Sequence, residues 1–166
     1  FHSMTVSENL MIAIAIANNQ GMDALRLMDT PEVRSQLDGI LSRYKLDIHR
    51  DSTVSALAQG VRKLLDIAMA VVSKPRILLL DEPTSGISVE EKFDFMDIVM
   101  GALSDDGVTV LFVEHDMEIV ARYVGRVLAF YQGEIIADMP PKKALADKKV
   151  QEFVIGKEHH KQKKLG

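Results

Sequence analysis

The chain has 166 residues, of which 47% are hydrophobic, so it is long enough to bury one sizeable core. Its 20 basic and 24 acidic residues leave a formal net charge of −4, which disfavours binding of the whole chain to nucleic acid or to an anionic bilayer. Cysteine is absent, and this excludes disulfides and thiolate metal sites. The longest strongly apolar run, Leu10 to Ala17, is far shorter than the roughly 20 residues that span a bilayer. We therefore expect one soluble domain.

The first part of the chain carries helical signals. Thr5 and Glu8 form a capping-box pattern, which predicts a helix over 5–19. A second helix is predicted over 30–44, because Pro31 follows a threonine that can cap the helix. A third helix is indicated by apolar residues that recur at helical spacing before the stop at Lys74-Pro75, namely Leu64, Leu65, Ala68, Val71 and Val72.

The pattern changes after the third helix. The segment 77–80 is a short uninterrupted apolar run, which predicts a parallel strand covered on both faces. The segment 109–113 is a second run of this kind. Ser88 and Glu91 form another capping-box pattern between the two runs, and it opens a predicted helix that ends near Ser104. Strand, helix and strand together imply a right-handed parallel crossover.

The last part of the chain contains shorter elements. Asp116 is predicted to cap a helix that ends at Tyr123. A hairpin is expected about Gln132-Gly133, and it would make the sheet mixed at this edge. Two short helices and the charged tail over 157–166 follow.

Two adjacent carboxylates, Asp81 and Glu82, end the first predicted strand. In an open α/β sheet, ligands bind beyond the carboxyl ends of the strands. One acid at such a place can hold Mg²⁺, commonly through water, while the other polarises an attacking water molecule. Phosphoryl transfer to water needs this arrangement. The alternative is an ordinary strand that leads into an acidic loop.

Two further segments strengthen the chemical interpretation. His115 follows the second predicted strand, and neighbouring parallel strands would place it beside the two carboxylates, where it can donate a hydrogen bond to a terminal phosphate. The segment 55–62 leads into a long helix, and the N–H groups at a helix N-terminus form an anion site. Gly60 has no side chain, so a phosphate could approach this site closely. The alternatives are a solvated histidine and a helix start with a tolerated glycine.

Together these segments resemble the ATP-binding subunits of ABC transporters. The segment 57–61, Leu-Ala-Gln-Gly-Val, stands where the family has its Leu-Ser-Gly-Gly-Gln signature. The segment 77–82 matches the Walker B strand, 85–88 matches the D-loop, and His115 matches the switch histidine. The resemblance implies an α/β fold, namely a partial P-loop NTPase (ABC ATPase) core with parallel strands and a helical sub-domain, lacking the N-terminal phosphate-loop portion.

The resemblance also implies a role for each matching residue. Asp81 would coordinate Mg²⁺, Glu82 would be the catalytic base, and His115 would be the second catalytic residue. The residues implied to contact the cofactor ATP, held by the opposite subunit, are Ala58, Gln59, Gly60 and Ser88.

The sequence departs from the family pattern in several places. Ala58 replaces the signature serine, Val61 the glutamine and Ser88 the D-loop aspartate, so side-chain groups are missing from the implied contacts with ATP. The 166 residues contain no Gly-x-x-x-x-Gly-Lys-Ser/Thr phosphate loop and no glutamine loop. We therefore expect a fragment of an ATPase that is inactive by itself.

The resemblance implies a division into a helical sub-domain over 1–73, the remaining α/β core over 74–139, and C-terminal helices with a charged tail over 140–166. It implies two kinds of partner, transmembrane permease subunits and a second ATP-binding subunit, identical or different, and no nucleic acid. The expected location is cytoplasmic, peripheral on the inner face of the cell membrane. The segments 113–117 and 154–156 look like those of branched-chain amino-acid importers.

Three alternatives remain open for function. A related lipopolysaccharide-exporter subunit shares the closing helix. A truncated, non-catalytic interaction module is a second possibility. The third, an ABC ATPase of DNA repair or translation, is disfavoured because such proteins usually carry long insertions or tandem cassettes.

An apolar cluster either docks the permease or completes a small helical core, and its members are Met22, Leu25, Leu27 and Met28.

Overall fold

The computed structural model describes residues 1–18 and 30–156. Their contacts form two compact units that meet in sequence after Phe112. The apolar cluster of Met22, Leu25, Leu27 and Met28 and the charged tail over 157–166 lie outside the described residues, so the two alternatives for the cluster stay predictions.

The first unit holds α1 (Val6–Ala17), α2 (Pro31–Arg43), α3 (Gln59–Val71), β1 (Ile77–Asp81), α4 (Lys92–Asp105) and β2 (Thr109–Val113), whose last residue begins the second unit. The second unit holds α5 (Met117–Tyr123), β3 (Val127–Tyr131), β4 (Glu134–Met139), α6 (Pro141–Ala146) and α7 (Lys148–Val150), which continues as a π-helix (Gln151–Ile155). Two 3₁₀ turns, Asp47–His49 and Val54–Ala56, lie between α2 and α3.

Local capping begins α1 and α2 as the sequence predicts. The Thr5 hydroxyl accepts a hydrogen bond from the Glu8 N–H at 3.2 Å, and the Thr5 N–H donates to the Glu8 carboxylate at 2.7 Å. The Thr30 hydroxyl accepts from the Val33 N–H at 3.3 Å. These bonds satisfy N–H groups that a helix start otherwise leaves without partners. The two predicted helix starts are confirmed.

The start of α4 differs from the prediction. The Ser88 hydroxyl accepts from the Glu91 N–H at 3.3 Å, as a capping residue should. The Ser88 carbonyl, however, accepts from the N–H groups of both Glu91 and Lys92, at 3.1 and 3.0 Å. Because the carbonyl is shared between two donors, the chain first makes a tight turn, and the helix begins at Lys92.

The helices of the first unit share one core. α1 packs against both α2 and α3, and α4 packs against α3. Backbone hydrogen bonds also attach the start of α1 to the segment before α3, from the Val6 N–H to the Ser52 carbonyl at 3.1 Å and from the Val54 N–H to the Met4 carbonyl at 3.0 Å. The largest fully buried side chains of this helical core are Leu10, Ile14, Leu41, Tyr44, Leu46, Leu65, Met96 and Leu103. α3 is therefore held in place by the buried side chains from Leu64 to Val71.

β1 and β2 form a two-stranded parallel sheet. Leu78 is buried, whereas Ile77, Leu79 and Leu111 are 62%, 69% and 52% exposed. The prediction that these strands are covered on both faces is wrong for the described residues, which cover only one face. Side chains alternate between the two faces of a strand, so an uninterrupted apolar run specifies two apolar faces but does not supply the layers that cover them.

The hairpin of β3 and β4 is confirmed, and its place in a mixed sheet is not. β3 pairs antiparallel with β4, and the described strands form two separate two-stranded sheets. Gln132 and Gly133 both have positive φ, 51° and 84°, as the tightest hairpin turns require. Ala129 lies opposite Ala137, and both pack against Val150. Within residues 1–18 and 30–156, no helix has the length and apolarity needed to cross a membrane.

Tyr44, the residue that ends α2, combines deep burial with an unsatisfied polar atom. Only 2% of the residue is exposed, and its hydroxyl has no hydrogen-bond partner within the described part of the chain. The pKa of Tyr44 is raised from 10.0 to about 12, chiefly by burial and then by the negative charge of Asp106, while Arg43 lowers it. Arg43 and Asp106 pair with each other at 2.7 Å.

We predict that Tyr44→Phe raises the free energy of unfolding at pH 7 by up to about 1 kcal/mol, because it removes a buried hydroxyl that makes no hydrogen bond. The wild-type chain should also lose stability as pH rises from 10 to 12, since the unfolded tyrosine ionises at the lower pH. Urea unfolding of both proteins at neutral and alkaline pH measures the difference. An identical pH dependence in the two proteins would contradict this prediction.

Candidate functional site

The two adjacent carboxylates lie where the sequence places them, at the carboxyl end of β1. Asp81 is the last residue of the strand and is exposed, and Glu82 is half-buried in the bend that follows. Glu82 has a φ of +45°, in the left-handed region that residues with a side chain enter at a cost of roughly 1–2 kcal/mol. The backbone that carries the Glu82 side chain is therefore held in a conformation that it would not adopt by itself.

The segment 82–88, which we call the strand-end loop, returns the chain toward α4 through two successive turns. The Ser85 N–H donates to the Glu82 carbonyl at 3.1 Å, and the Ile87 N–H donates to the Thr84 carbonyl at 3.1 Å. Thr84 is buried, whereas Ser88 is exposed. The loop thus has internal hydrogen bonds, it buries Thr84, and it exposes Ser88 to solvent.

The start of α3 lies against the strand-end loop. The Gln59 amide donates to the Ser85 carbonyl at 3.4 Å, a long hydrogen bond. One helical turn later, the Lys63 ammonium donates to the carbonyls of Glu82 and Pro83, at 3.0 and 2.9 Å. Residues four apart lie on the same face of a helix, so the two side chains reach the loop together.

Lys63 is the site residue that the sequence did not reveal. Its spacing from Gln59 is the available signal, since it puts both side chains on one helical face. That signal says nothing about which segment the face would meet. The contact with Glu82 and Pro83 is visible only in the folded chain.

The N-terminus of α3 has no side-chain cap. Ala58 occupies the N-cap position, and no hydrogen bond from its side chain satisfies the first turn. A serine there would accept from one of these N–H groups, a contact typically worth about 1 kcal/mol. A side chain at Gly60 would meet Ile87 at 3.9 Å, an ordinary contact, so this chain alone does not require a glycine there.

His115 follows β2 and is exposed. The Glu114 carboxylate accepts from the N–H groups of His115 and Asp116, at 3.2 and 3.4 Å, and the Asp116 side chain caps α5. The local backbone around His115 is therefore fixed by its neighbours. His115 belongs to the second unit and Asp81 and Glu82 to the first, so their proximity stays a prediction.

The donor set fits a cation that is bound mainly by water and phosphate. In the described ranges, no three histidine or acidic side chains lie close enough together to hold a metal ion. Mg²⁺ commonly takes only one or two protein carboxylates and completes its shell with water and substrate phosphates. The exposed Asp81 carboxylate suits that mode of binding.

The sequence is similar to known ATP-binding proteins of transporters. A family model described as ABC transporter matches residues 1–85. A putative ABC transporter ATP-binding protein of Onion yellows phytoplasma is 35% identical over 116 residues, which are 70% of this chain and 20% of that protein. The energy-coupling factor transporter ATP-binding protein EcfA3 of Clostridium perfringens is 26% identical over 144 residues, 86% of this chain and 50% of that protein. The branched-chain amino acid transport ATP-binding protein BraF of Pseudomonas aeruginosa is 32% identical over 149 residues, 86% of this chain and 58% of that protein.

Solved structures agree with these relatives. The fold matches MJ1267, an ATP-binding cassette of an ABC transporter, with a TM-score of 0.76 and 30% identity over 93% of this chain and 64% of that one. It also matches cbiO1 of Clostridium perfringens, with a TM-score of 0.71 and 27% identity over 89% of this chain and 55% of that one. The chain thus spans between 20% and 58% of the length of the three curated relatives described above.

In the strand-end loop, a side chain at Gly86 would displace the Gln59 amide. The φ of Gly86 is +75°, and a Cβ atom would lie 2.3 Å from the amide nitrogen of Gln59. We predict that Gly86→Ala lowers the free energy of unfolding by roughly 1–3 kcal/mol, of which roughly 1–2 kcal/mol arises from the positive φ. In a Gln59→Ala background only that backbone part should remain.

Urea unfolding of the two single variants and the double variant measures the coupling between these positions. Gly101→Ala is the matched control, because Gly101 lies inside α4 with nothing within 4 Å, and alanine there should stabilise the helix. Additive effects of the Gly86 and Gln59 changes would contradict the contact.

Proposed function

This chain belongs to the ABC transporter ATP-binding protein family, and we propose that the protein it comes from hydrolyses Mg-ATP to power transport across a membrane. One observation carries the proposal above the others. The Asp81 and Glu82 carboxylates stand at the carboxyl end of β1, and α3, which begins in the signature segment, lies against the loop that follows them. Strand ends of this kind are where α/β enzymes bind their ligands.

Each residue has a distinct role in the proposed reaction. Asp81 would hold Mg²⁺, which would supply positive charge to the phosphates. Glu82 orients a water molecule and accepts its proton as the water oxygen bonds to the terminal phosphorus and the bond to the bridging oxygen breaks. His115 donates a hydrogen bond to the terminal phosphate. ADP and inorganic phosphate are the products.

A second ATP-binding subunit, identical or different, completes the proposed site. The N-terminus of α3 would face the ATP held by that subunit, because helix N-termini attract phosphate and Ala58 leaves the first turn without a side-chain cap. The residues assigned to this contact are Ala58, Gln59, Gly60 and Ser88. The further partners are transmembrane permease subunits, which would place the protein at the inner face of the cell membrane.

The solute that we propose is a branched-chain amino acid. BraF, a branched-chain amino acid transport ATP-binding protein, is 32% identical over 86% of this chain. EcfA3, of an energy-coupling factor transporter, and cbiO1, part of the ABC transporter complex cbiONQ, have lower identities of 26% and 27%. A lipid or lipopolysaccharide exporter is the alternative solute class.

A second candidate function is a non-catalytic interaction module. The observation that favours it is the uncovered apolar face of the β1–β2 sheet, where Ile77 and Leu79 are more than half exposed. Apolar faces of this kind usually mark a surface that another chain or segment covers. A measured ATPase rate in the natural-length protein distinguishes this candidate from the first.

We predict that the 166-residue chain by itself binds Mg-ATP more weakly than micromolar and does not hydrolyse it. No phosphate-loop motif occurs within it, and Asp81 and Glu82 add only negative charge near the phosphates. Isothermal titration calorimetry with Mg-ATP measures the affinity. A micromolar dissociation constant would contradict the prediction and show that groups other than a phosphate loop bind the phosphates.

In the natural-length protein, we predict that Glu82→Gln lowers turnover by about 10²- to 10⁴-fold and leaves ATP binding largely intact, because the amide keeps the size of the side chain but cannot accept a proton. Phosphate release at saturating Mg-ATP and nucleotide binding are measured in parallel. The matched control is Glu90→Gln, an exposed carboxylate beyond the strand-end loop, which should keep wild-type turnover. Wild-type turnover in Glu82→Gln would remove Glu82 from the base role.

A further inference from the structure

Lys63 joins α3 to the backbone that carries the proposed catalytic base. Its ammonium donates to two consecutive carbonyls, those of Glu82 at 3.0 Å and Pro83 at 2.9 Å. Resting on the proposed function, we infer that Lys63 is a positioning residue, which fixes the Glu82 backbone so that the carboxylate meets the attacking water in a productive geometry. Lys63 acts through Glu82 and does not touch the reacting atoms in this assignment.

The backbone conformation of Glu82 explains why a positioning group is needed. A φ of +45° is unfavourable for a glutamate, so the bend would relax toward a commoner conformation without restraint. Hydrogen bonds from a charged donor are stronger than neutral ones, and two of them hold both carbonyls toward Lys63. The Ser85 N–H also donates to the Glu82 carbonyl, at 3.1 Å. Together these bonds set the direction in which the Glu82 side chain leaves the backbone.

The position of the Lys63 ammonium is itself fixed by packing. The next two residues of α3, Leu64 and Leu65, are buried, at 7% and 1% exposure. α3 packs against α1 and α4, so the helix cannot rotate without exposing these leucines. Lys63 is half-buried, which limits the freedom of its side chain. A catalytic group is positioned accurately when the residues that support it are locked in this way.

The main test replaces the ammonium in the natural-length protein. Lys63→Met keeps the aliphatic stem and removes both hydrogen bonds, and we expect kcat to fall about 10- to 100-fold with little change in the KM for Mg-ATP. Lys63→Arg should retain most of the turnover, because a guanidinium can donate to the same two carbonyls. Arg76→Met is the matched control, since it removes an exposed cation at the opposite end of β1 and should leave kcat unchanged.

A double variant separates positioning from general structural damage. In a Glu82→Gln background the base is already lost, so adding Lys63→Met should lower the residual turnover no further. Independent losses that multiply would mean that Lys63 only supports folding, and this result would overturn the inference. Should Lys63→Met not fold, Lys63→Gln is measured in the same way, because its shorter amide cannot bridge both carbonyls.

The outcomes also distinguish the inference from the proposed function. If Glu82→Gln keeps wild-type turnover, the assignment of Glu82 as base fails and the role of Lys63 fails with it. If Glu82→Gln abolishes turnover while Lys63→Met, or Lys63→Gln in its place, keeps the wild-type kcat, only the positioning role is overturned. A loss of turnover in the Lys63 variant that Lys63→Arg restores, with no further loss in the double variant, supports the inference.

Discussion

The contact between the first two turns of α3 and the strand-end loop is the interaction on which the candidate site depends. It joins the start of a helix to a loop that lies 19 to 26 positions further along the chain and begins with the carboxylate residue Glu82. The side chains of Gln59 and Lys63 donate the hydrogen bonds of this contact, and backbone carbonyls of the loop accept them. Backbone acceptors fix the path of the main chain directly, so the contact constrains the loop more tightly than a pair of side chains would.

Two residues of the strand-end loop have positive φ, and they meet that constraint differently. Gly86 adopts a φ of +75° without steric cost, and the space beside it is filled by the Gln59 amide. Glu82 has a side chain and a φ of +45°, so hydrogen bonds must offset an unfavourable backbone conformation. Unfavourable backbone conformations that neighbouring groups enforce are concentrated at functional sites, which agrees with the role proposed for Glu82.

Each unit buries one part of its sheet and leaves large apolar side chains of the sheet exposed, and in the hairpin the cross-strand pair Phe130 and Ile135 is 60% and 56% exposed. The β3–β4 hairpin buries Ala129 and Ala137 against the C-terminal helices, and Tyr131 stacks on Phe153 with 4.7 Å between ring centroids. One face of the β1–β2 sheet stays apolar and exposed, with Ile77 and Leu79 at 62% and 69%. Burial of apolar area stabilises a protein by roughly 25 cal/mol per Å², so covering this face would add substantially to the stability of the first unit.

The sequence by itself determined the features that depend on residues a few positions apart. The capping box of Thr5 and Glu8, the hairpin turn at Gln132-Gly133 and the position of Asp81 at a strand end are all local, and the structure agrees with each. The tertiary structure alone decided that the described residues leave one face of the β1–β2 sheet uncovered and place β3 and β4 in a separate sheet, and that Lys63 contacts the Glu82 backbone. Caps and turns are encoded by neighbouring side chains. The contacts between surfaces depend instead on how whole helices and strands pack. A pattern of apolar residues specifies which face is buried, but it does not determine which element packs against that face.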